Sequence, residues 1–174
     1  MFTDEQKETL KISHTKFTGI AAVNNKNYIG LDGKLVDSDK DDMRYFVNTT
    51  RGHVVVMGRK TFESCKRPLL GRNVCVLSRN PIKIYPDAIV LSPAQLVKHM
   101  ISFEQVYIAG GAEVYKIFDD VYSEFVLTHI PKDTVGDVLM PIDFLHGWRM
   151  VYSAVPLGLN TGGATLNKYI KVRI

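Results

Sequence analysis

Four carboxylates fall within six residues at 37–42, Asp-Ser-Asp-Lys-Asp-Asp, in a 174-residue chain whose net charge is +4. Asp37, Asp39 and Asp41 have the 1-3-5 spacing of a calcium loop, but such a loop also needs Gly at its sixth position and Glu at its twelfth. Asp42 and Asn48 stand there instead, so the run does not describe a calcium site. Asp42 is the member of chemical interest, because Met43-Arg44-Tyr45-Phe46 follows it directly. A carboxyl held against apolar groups shifts toward its protonated form and can act as an acid. Taken alone, an acid in a first turn more simply answers the helix dipole. Three other stretches suit anions: Gly58-Arg59-Lys60-Thr61, Leu77-Ser78-Arg79 and Gly110-Gly111. Each follows an apolar run and offers free backbone N–H groups, cations, hydroxyls or close backbone approach. Singly, each is equally a tight turn or a solvated cation; together on one sheet edge they would take an elongated, multiply phosphorylated ligand. The GxGxxG fingerprint is absent, so this is not the usual Rossmann site. The five histidines show no metal-ligand spacing.

These residues need elements to hold them. The run at 17–23, FTGIAAV, reads as a buried strand, followed by turn-rich residues. A helix is predicted from about Asp39, with Met43, Phe46, Val47 and Thr50 on one face. Further strands are predicted at 53–58, 73–78, 88–91, 104–109 and 124–130. Helices are expected after Gly58, from Ser92-Pro93-Ala94-Gln95 with its capping-box spacing, and after Gly111. The strands at 148–155 and 165–174 form an antiparallel hairpin. Strands alternating with helices, closed by a hairpin, describe a single α/β domain with a mostly parallel central sheet and helices on both faces. In such sheets ligands bind beyond the carboxyl ends of the strands. Residues 1–16 are polar and charged, a short helix or loose arm read as an N-terminal extension, with the domain at 17–174.

Composition narrows the function. At 45% hydrophobic and 23% charged the chain is of ordinary globular type. No apolar run approaches a membrane span, and the N-terminus lacks the apolar core of a secretory signal. Cys65 and Cys75 lack CxxC spacing and read as reduced thiols of a cytoplasmic protein. The positive surplus suits an anionic small molecule; without a basic stripe interleaved with aromatics, nucleic acid is not expected. A monomer is expected.

One series of residues runs from Phe17 to the C-terminus: Ile20-Ala21-Ala22, Ile29-Gly30, Asp32-Gly33-Lys34-Leu35 and Asp42-Met43-Arg44-Tyr45-Phe46, then Met57 to Ser64 (MGRKTFES). It continues through Arg67-Pro68-Leu69, Gly71-Arg72-Asn73, Leu77-Ser78-Arg79, Gly110-Gly111 with Val114-Tyr115, Leu127-Thr128-His129-Ile130 and Gly136-Asp137. In the order and spacing of these motifs the chain resembles the dihydrofolate reductase family. The resemblance implies NADPH-dependent reduction of 7,8-dihydrofolate to tetrahydrofolate, with hydride delivered to C6 and a proton to N5. It implies that Asp42 is the acid, supported by Thr128, and that Ala21, Met43, Phe46, Cys65, Leu69, Arg72 and Ala109 bind substrate. Arg72 would hold the substrate's α-carboxylate. On the cofactor side it implies Ala22 and Ile29 beside the nicotinamide, and Gly58, Lys60, Thr61, Gly110, Gly111, Val114 and Tyr115 along the phosphates. Arg59, Leu77, Ser78 and Arg79 would surround the 2′-phosphate. Antifolates would compete for the substrate slot.

One segment departs from the family. Val36-Asp37 replaces the usual Pro-Trp, and Asp39-Lys40 replaces an aliphatic residue and Pro. An acid cannot supply an apolar wall, so Asp37 is expected to turn to water and leave a wider, wetter site. Two other readings are weighed: the related pyrimidine reductase of riboflavin synthesis, which predicts neither Asp42 with Phe46 nor Arg72, and a folate- or NADPH-binding module with reduced turnover.

Overall fold

A computed structural model describes residues 1–66, 68–154 and 163–172. Its centre is the run FTGIAAV, within strand β1 (Lys16–Asn24). Parallel strands covered on both faces read as continuous apolar runs, and β4 (Val54–Gly58) and β5 (Asn73–Leu77) share that character. With β6 (Ile89–Leu91), β7 (Gln105–Ile108), β8 (Glu124–Ile130), β10 (Arg149–Ala154) and β11 (Thr165–Ile170) they form one eight-stranded sheet. Its order is β10-β11-β8-β1-β7-β4-β5-β6. β1 pairs in parallel with both β7 and β8, while β11 runs antiparallel to β8 and to β10. The terminal hairpin is therefore present; its connecting residues 155–162, and 173–174, lie outside the described residues.

Alternation along β4 sends Val54 and Val56 to one face and Val55 and Met57 to the other. The first face meets α1 (Asp4–Ile12), α4 (Pro93–Met100) and α5 (Ala112–Ile117) through Leu10, Leu96, Met100, Val114 and Tyr115. The second meets Phe46 of α2 (Lys40–Thr50) and Phe62 of α3 (Arg59–Ser64). Ser92 and Gln95 close the capping box that the sequence predicts at α4.

Two features were not legible beforehand. A second sheet of three short strands, β3 (Lys34–Leu35), β2 (Tyr28–Leu31) and β9 (Val138–Leu139), stands where only turn residues were read. The N-terminal segment is packed rather than loose. Thr3 and Gln6 cap α1 reciprocally, Leu10 is 1% exposed, and the Phe2 ring meets Phe118 edge-on at 5.1 Å. Lys7 reaches Asp120 at 3.2 Å and Asp119 at 3.7 Å. Burying a side chain such as Leu10 stabilises by about 1.5–3 kcal/mol, which adds to the Phe2 contact and the Lys7 ion pairs in holding α1 against the domain.

Candidate active site

The site begins with a cap. Asp39 precedes α2 in extended conformation, and its carboxylate accepts from the N–H groups of Asp41 (2.9 Å) and Asp42 (3.0 Å). This fixes the first turn and aims Asp42 at β8, where the Thr128 hydroxyl hydrogen-bonds its carboxylate. Thr128 is 1% exposed and lies opposite Ala22 in the β1–β8 register. Burial pushes the Asp42 carboxyl above its ordinary range; the Thr128 bond offsets part of this, and the charge of Asp39 adds to the rise. Such a group is a proton donor usable nearer neutrality than a solvated aspartate. Its neighbour Asp41 takes a structural role, paired with Arg44 at 3.3 Å.

α2 is also the spine of the slot. Asp42, Phe46 and Thr50 recur every fourth residue on one face. Phe46 packs with Ala109 against Ile20 and Val126, and with Leu69 against Met57 and Phe62. At the far end Arg72 donates from Nε to the Leu69 carbonyl (3.3 Å) and from Nη1 to Thr50 Oγ1 (3.4 Å), with its guanidinium 5.8 Å from the Phe46 ring centre. Eight residues of helix separate Asp42 from Thr50, a rise of about 12 Å. One end of the slot thus holds an acid and the other a cation. Desolvation and the nearby Arg51 lower the Arg72 pKa. Met43 points away from the stripe and is 42% exposed. Cys65 donates to the Thr61 carbonyl at 3.5 Å and lines a hollow of about 340 Å³ with Phe62, Glu63, Lys66, Pro68, Tyr85 and Asp87. Arg67 lies outside the described residues.

The anion-suited stretches converge at the carboxyl ends of β4, β5 and β7. Gly58 N donates to the Gly110 carbonyl at 2.8 Å, and Leu77 sits beside Gly58 in the β4–β5 register. Gly110 has φ +99°, which favours glycine, and a Cβ on Gly111 would stand 3.0 Å from Thr61 Oγ1. Beside this cradle a cleft of about 540 Å³ is lined by Arg59, Ser78, Asn80, Ile82 and Lys83. Glu63 accepts from Arg59 (2.9 Å), Tyr85 (2.6 Å) and Lys83, and the bonds from Lys83 and Tyr85 hold its carboxyl down to about 2. Lys83 is a cation of this cleft that the motifs did not single out. Lys60 and Arg79 are exposed nearby in sequence. Ala22 and Ile29 are half-buried near the ends of β1 and β2. Val114 and Tyr115 face the core; the Tyr115 hydroxyl donates to the Ile20 carbonyl at 2.8 Å, and burial, then the charge of Asp42, raises its pKa.

The expectation for Asp37 is corrected. Its side chain does not turn to water but is 7% exposed. It accepts from Asn24 Nδ2 (2.9 Å) and Thr134 Oγ1 (3.0 Å), with Lys132 Nζ at 4.0 Å. Donors from two distant segments hold it inward, and sequence spacing gave no signal of either. Among the described residues, no group of three His, Cys, Asp or Glu could hold a metal ion, and no helix is long and apolar enough to cross a membrane.

Architecture and site together define an α/β protein with an acid and a cation at the two ends of one helical stripe and an anion-suited cleft at the carboxyl ends of its parallel strands. A solved dihydrofolate reductase from Enterococcus faecalis complexed with NADP(H) and RAB-propyl has the same fold, with a TM-score of 0.83 at 24% identity over 91% of this chain and 97% of that one. The family model for dihydrofolate reductase matches residues 16–155. The chain is 30% identical to the dihydrofolate reductase of Staphylococcus haemolyticus over 140 residues, covering 80% of this chain and 84% of that one. It is 34% identical to dihydrofolate reductase type 3 of Salmonella typhimurium over 132 residues (75% and 81%), and 32% identical to the Bacillus subtilis enzyme over 135 (77% and 80%). The chain belongs to the dihydrofolate reductase family.

Proposed function

We propose that the protein reduces 7,8-dihydrofolate to 5,6,7,8-tetrahydrofolate with NADPH. The observation that carries this reading is Asp42, a half-buried carboxyl with a raised pKa, bonded to Thr128 at one end of a helical stripe whose other end meets Arg72. A pterin has an amidine-like edge, its N3 and 2-amino group, that a carboxylate matches in a two-point contact. Asp42 binds that edge, Thr128 orients the carboxylate, and the raised pKa makes a proton available for N5. Ala21, Phe46, Leu69 and Ala109 enclose the ring system and keep water from competing. The roughly 12 Å rise from Asp42 to Thr50 lets Arg72 meet a carboxylate on the substrate's tail.

The cofactor groove fits NADPH. The Gly110-Gly111 cradle, which a Cβ would fill, and the cleft of Arg59, Ser78 and Lys83 match a pyrophosphate and a further phosphate. When bound, the dinucleotide supplies the hydride that reaches C6. Arg59 and Lys83 would neutralise its 2′-phosphate, Thr61 and Lys60 would lie along the pyrophosphate, and Ala22 and Ile29 would hold the nicotinamide. All of these residues come from one chain, so a monomer suffices, and two free thiols suit a reducing cytoplasm. The test is loss of NADPH absorbance on adding dihydrofolate to the purified protein. Absence of dihydrofolate-dependent oxidation would refute the reading.

A further inference from the structure

Asn24, the last residue of β1, is wholly buried, and its amide is fully engaged. Nδ2 donates to Asp37 Oδ2 at 2.9 Å and to the Thr134 carbonyl at 2.7 Å. Oδ1 accepts from the N–H groups of Lys26 and Tyr28, both at 3.1 Å. Two donors and two lone pairs are all that a carboxamide has. Asp37 commits its other oxygen to the Thr134 hydroxyl at 3.0 Å, with Lys132 at 4.0 Å. Asn25 continues the seam through Lys132 O (3.0 Å) and Asp133 Oδ1 (3.1 Å). Three segments far apart in sequence therefore meet at one carboxylate: the end of β1, the residues entering α2, and the loop after β8.

The first is the end of the β1–β8 register that sets Ala22 opposite Thr128, and the third follows directly on that register, which ends at Asn24 and Ile130, and is tied back to it by Asn25 N on the Lys132 carbonyl. The second leads within two residues to Asp39, whose carboxylate caps α2 and holds the Asp42 N–H. Val36 N adds a bond to the Ile29 carbonyl at 3.2 Å, but that bond belongs to the small outer sheet and not to the β1–β8 frame. We propose that Asp37 is a positioning residue for the reductase reaction: it latches residues 36–38 to Asn24 and Thr134 and so fixes the head of α2, and the Asp42 carboxyl, against Thr128 and the cofactor groove. This rests on the functional reading above. Asp37 touches none of the reacting groups; it acts through Asp39 and Asp42. A tryptophan there would offer one N–H donor and no acceptor, so it could not satisfy the two donors, Asn24 and Thr134, that converge on Asp37. Asp37→Trp therefore loosens the site.

The test compares hydride-transfer rates, KM for NADPH and amide exchange in wild type, Asp37→Ala, Asp37→Asn, Thr134→Val and the Asp37→Ala/Thr134→Val double variant. A misplacement on the order of 1 Å costs roughly 10²-fold in rate, so Asp37→Ala is expected to slow hydride transfer about 10- to 100-fold with KM for NADPH within about twofold. Asp37→Asn keeps one acceptor oxygen and should recover part of that loss, and Thr134→Val should cost less in the Asp37→Ala background than in wild type. A folded Asp37→Ala within about twofold of the wild-type rate, or two losses that simply multiply, overturns the latch. If Asp37→Ala does not fold, Asp37→Asn takes its place and must be slowed by more than about twofold. If the wild type oxidises no NADPH with dihydrofolate, the functional reading fails, and the latch is then judged by exchange at the Asp41 and Asp42 amides. Faster exchange there in the variant supports it; unchanged exchange overturns it.

Discussion

Arg72→Leu separates recognition of the substrate's tail from chemistry at its ring. Arg72 carries five N–H donors, of which the bonds to Leu69 O and Thr50 Oγ1 occupy two, leaving three for an anion. A bidentate carboxylate contact uses two of them at about 1.5–3 kcal/mol each. The guanidinium is only half-buried, so solvent screening reduces the sum, and about 1.5–3 kcal/mol in total is the reasonable expectation. That corresponds to a rise of roughly 10- to 100-fold in KM for dihydrofolate. Because the contact lies about 12 Å along α2 from Asp42, it is made equally in the ground and transition states, and kcat should stay within about twofold. Leucine keeps the packing on Phe46, so stability is not the issue. The assay is steady-state kinetics with dihydrofolate and with a dihydropterin lacking the glutamyl tail. The truncated substrate should behave the same in wild type and variant. A kcat that falls in step with kcat/KM, or a truncated substrate equally impaired, would show that Arg72 acts on the ring end and that the acid-to-cation axis is misassigned.

Asp42→Asn is expected to reduce turnover at pH 7 by more than about 10²-fold, with residual activity climbing as pH falls because protonated dihydrofolate then arrives from solution; near-normal activity at pH 7 would remove Asp42 from the chemistry. The same variant should be the more stable protein at pH 7. The folded-state pKa of Asp42 is raised above the unfolded value, so its favourable contribution is complete below the unfolded pKa and is lost as pH rises through the folded one; chemical denaturation of both proteins at pH 4 and pH 7 should show the gap widening with pH. Arg59→Ala with Lys83→Ala should narrow the preference for NADPH over NADH by at least about tenfold, read from kcat/KM with each cofactor, and an unchanged ratio would place the 2′-phosphate elsewhere. Leu10→Ala should lower stability by about 2–4 kcal/mol with kcat unaffected, measured by urea denaturation; a loss below about 0.5 kcal/mol would mean that α1 is not part of the cooperative unit.

The large elements were legible because they carry strong local signals. VVVMG and FTGIAAV, short apolar runs rich in β-branched residues and bounded by turn signals, read as strands covered on both sides, and Ser92-Pro93-Ala94-Gln95 states a helix start in its own side chains. Asp42 and Thr128 were reached only through the family's motifs, since no local pattern joins residues 86 positions apart. The small outer sheet was missed because strands of two to four residues have no measurable period. The packing of α1 rests on Phe2 and Leu10 in an otherwise polar segment, too few apolar positions to define a face. Asp37 was misjudged for a related reason. An unpartnered acid would turn to water, but the partners of Asp37, Asn24 and Thr134, are 13 and 97 residues away.

The place of β1 in the sheet also bears on how the protein is made. Its partners on either side, β7 and β8, begin at Gln105 and Glu124. During synthesis at about 5–20 residues per second, roughly 100 residues must be added after Asn24 before the second neighbour exists, an interval of about 5–20 s. Until Ile108 is added, β1, the strand that carries Ala21, Ala22 and Asn24, has no native ladder to join, and until β8 is made it has only one. The nascent chain is then an unpaired strand with both faces sticky. A chain that stops before Gln105 would leave β1 without either neighbour, and one that stops between Ile108 and Glu124 would leave it one open edge, which makes aggregation, rather than loss of catalysis, the first consequence of a premature stop.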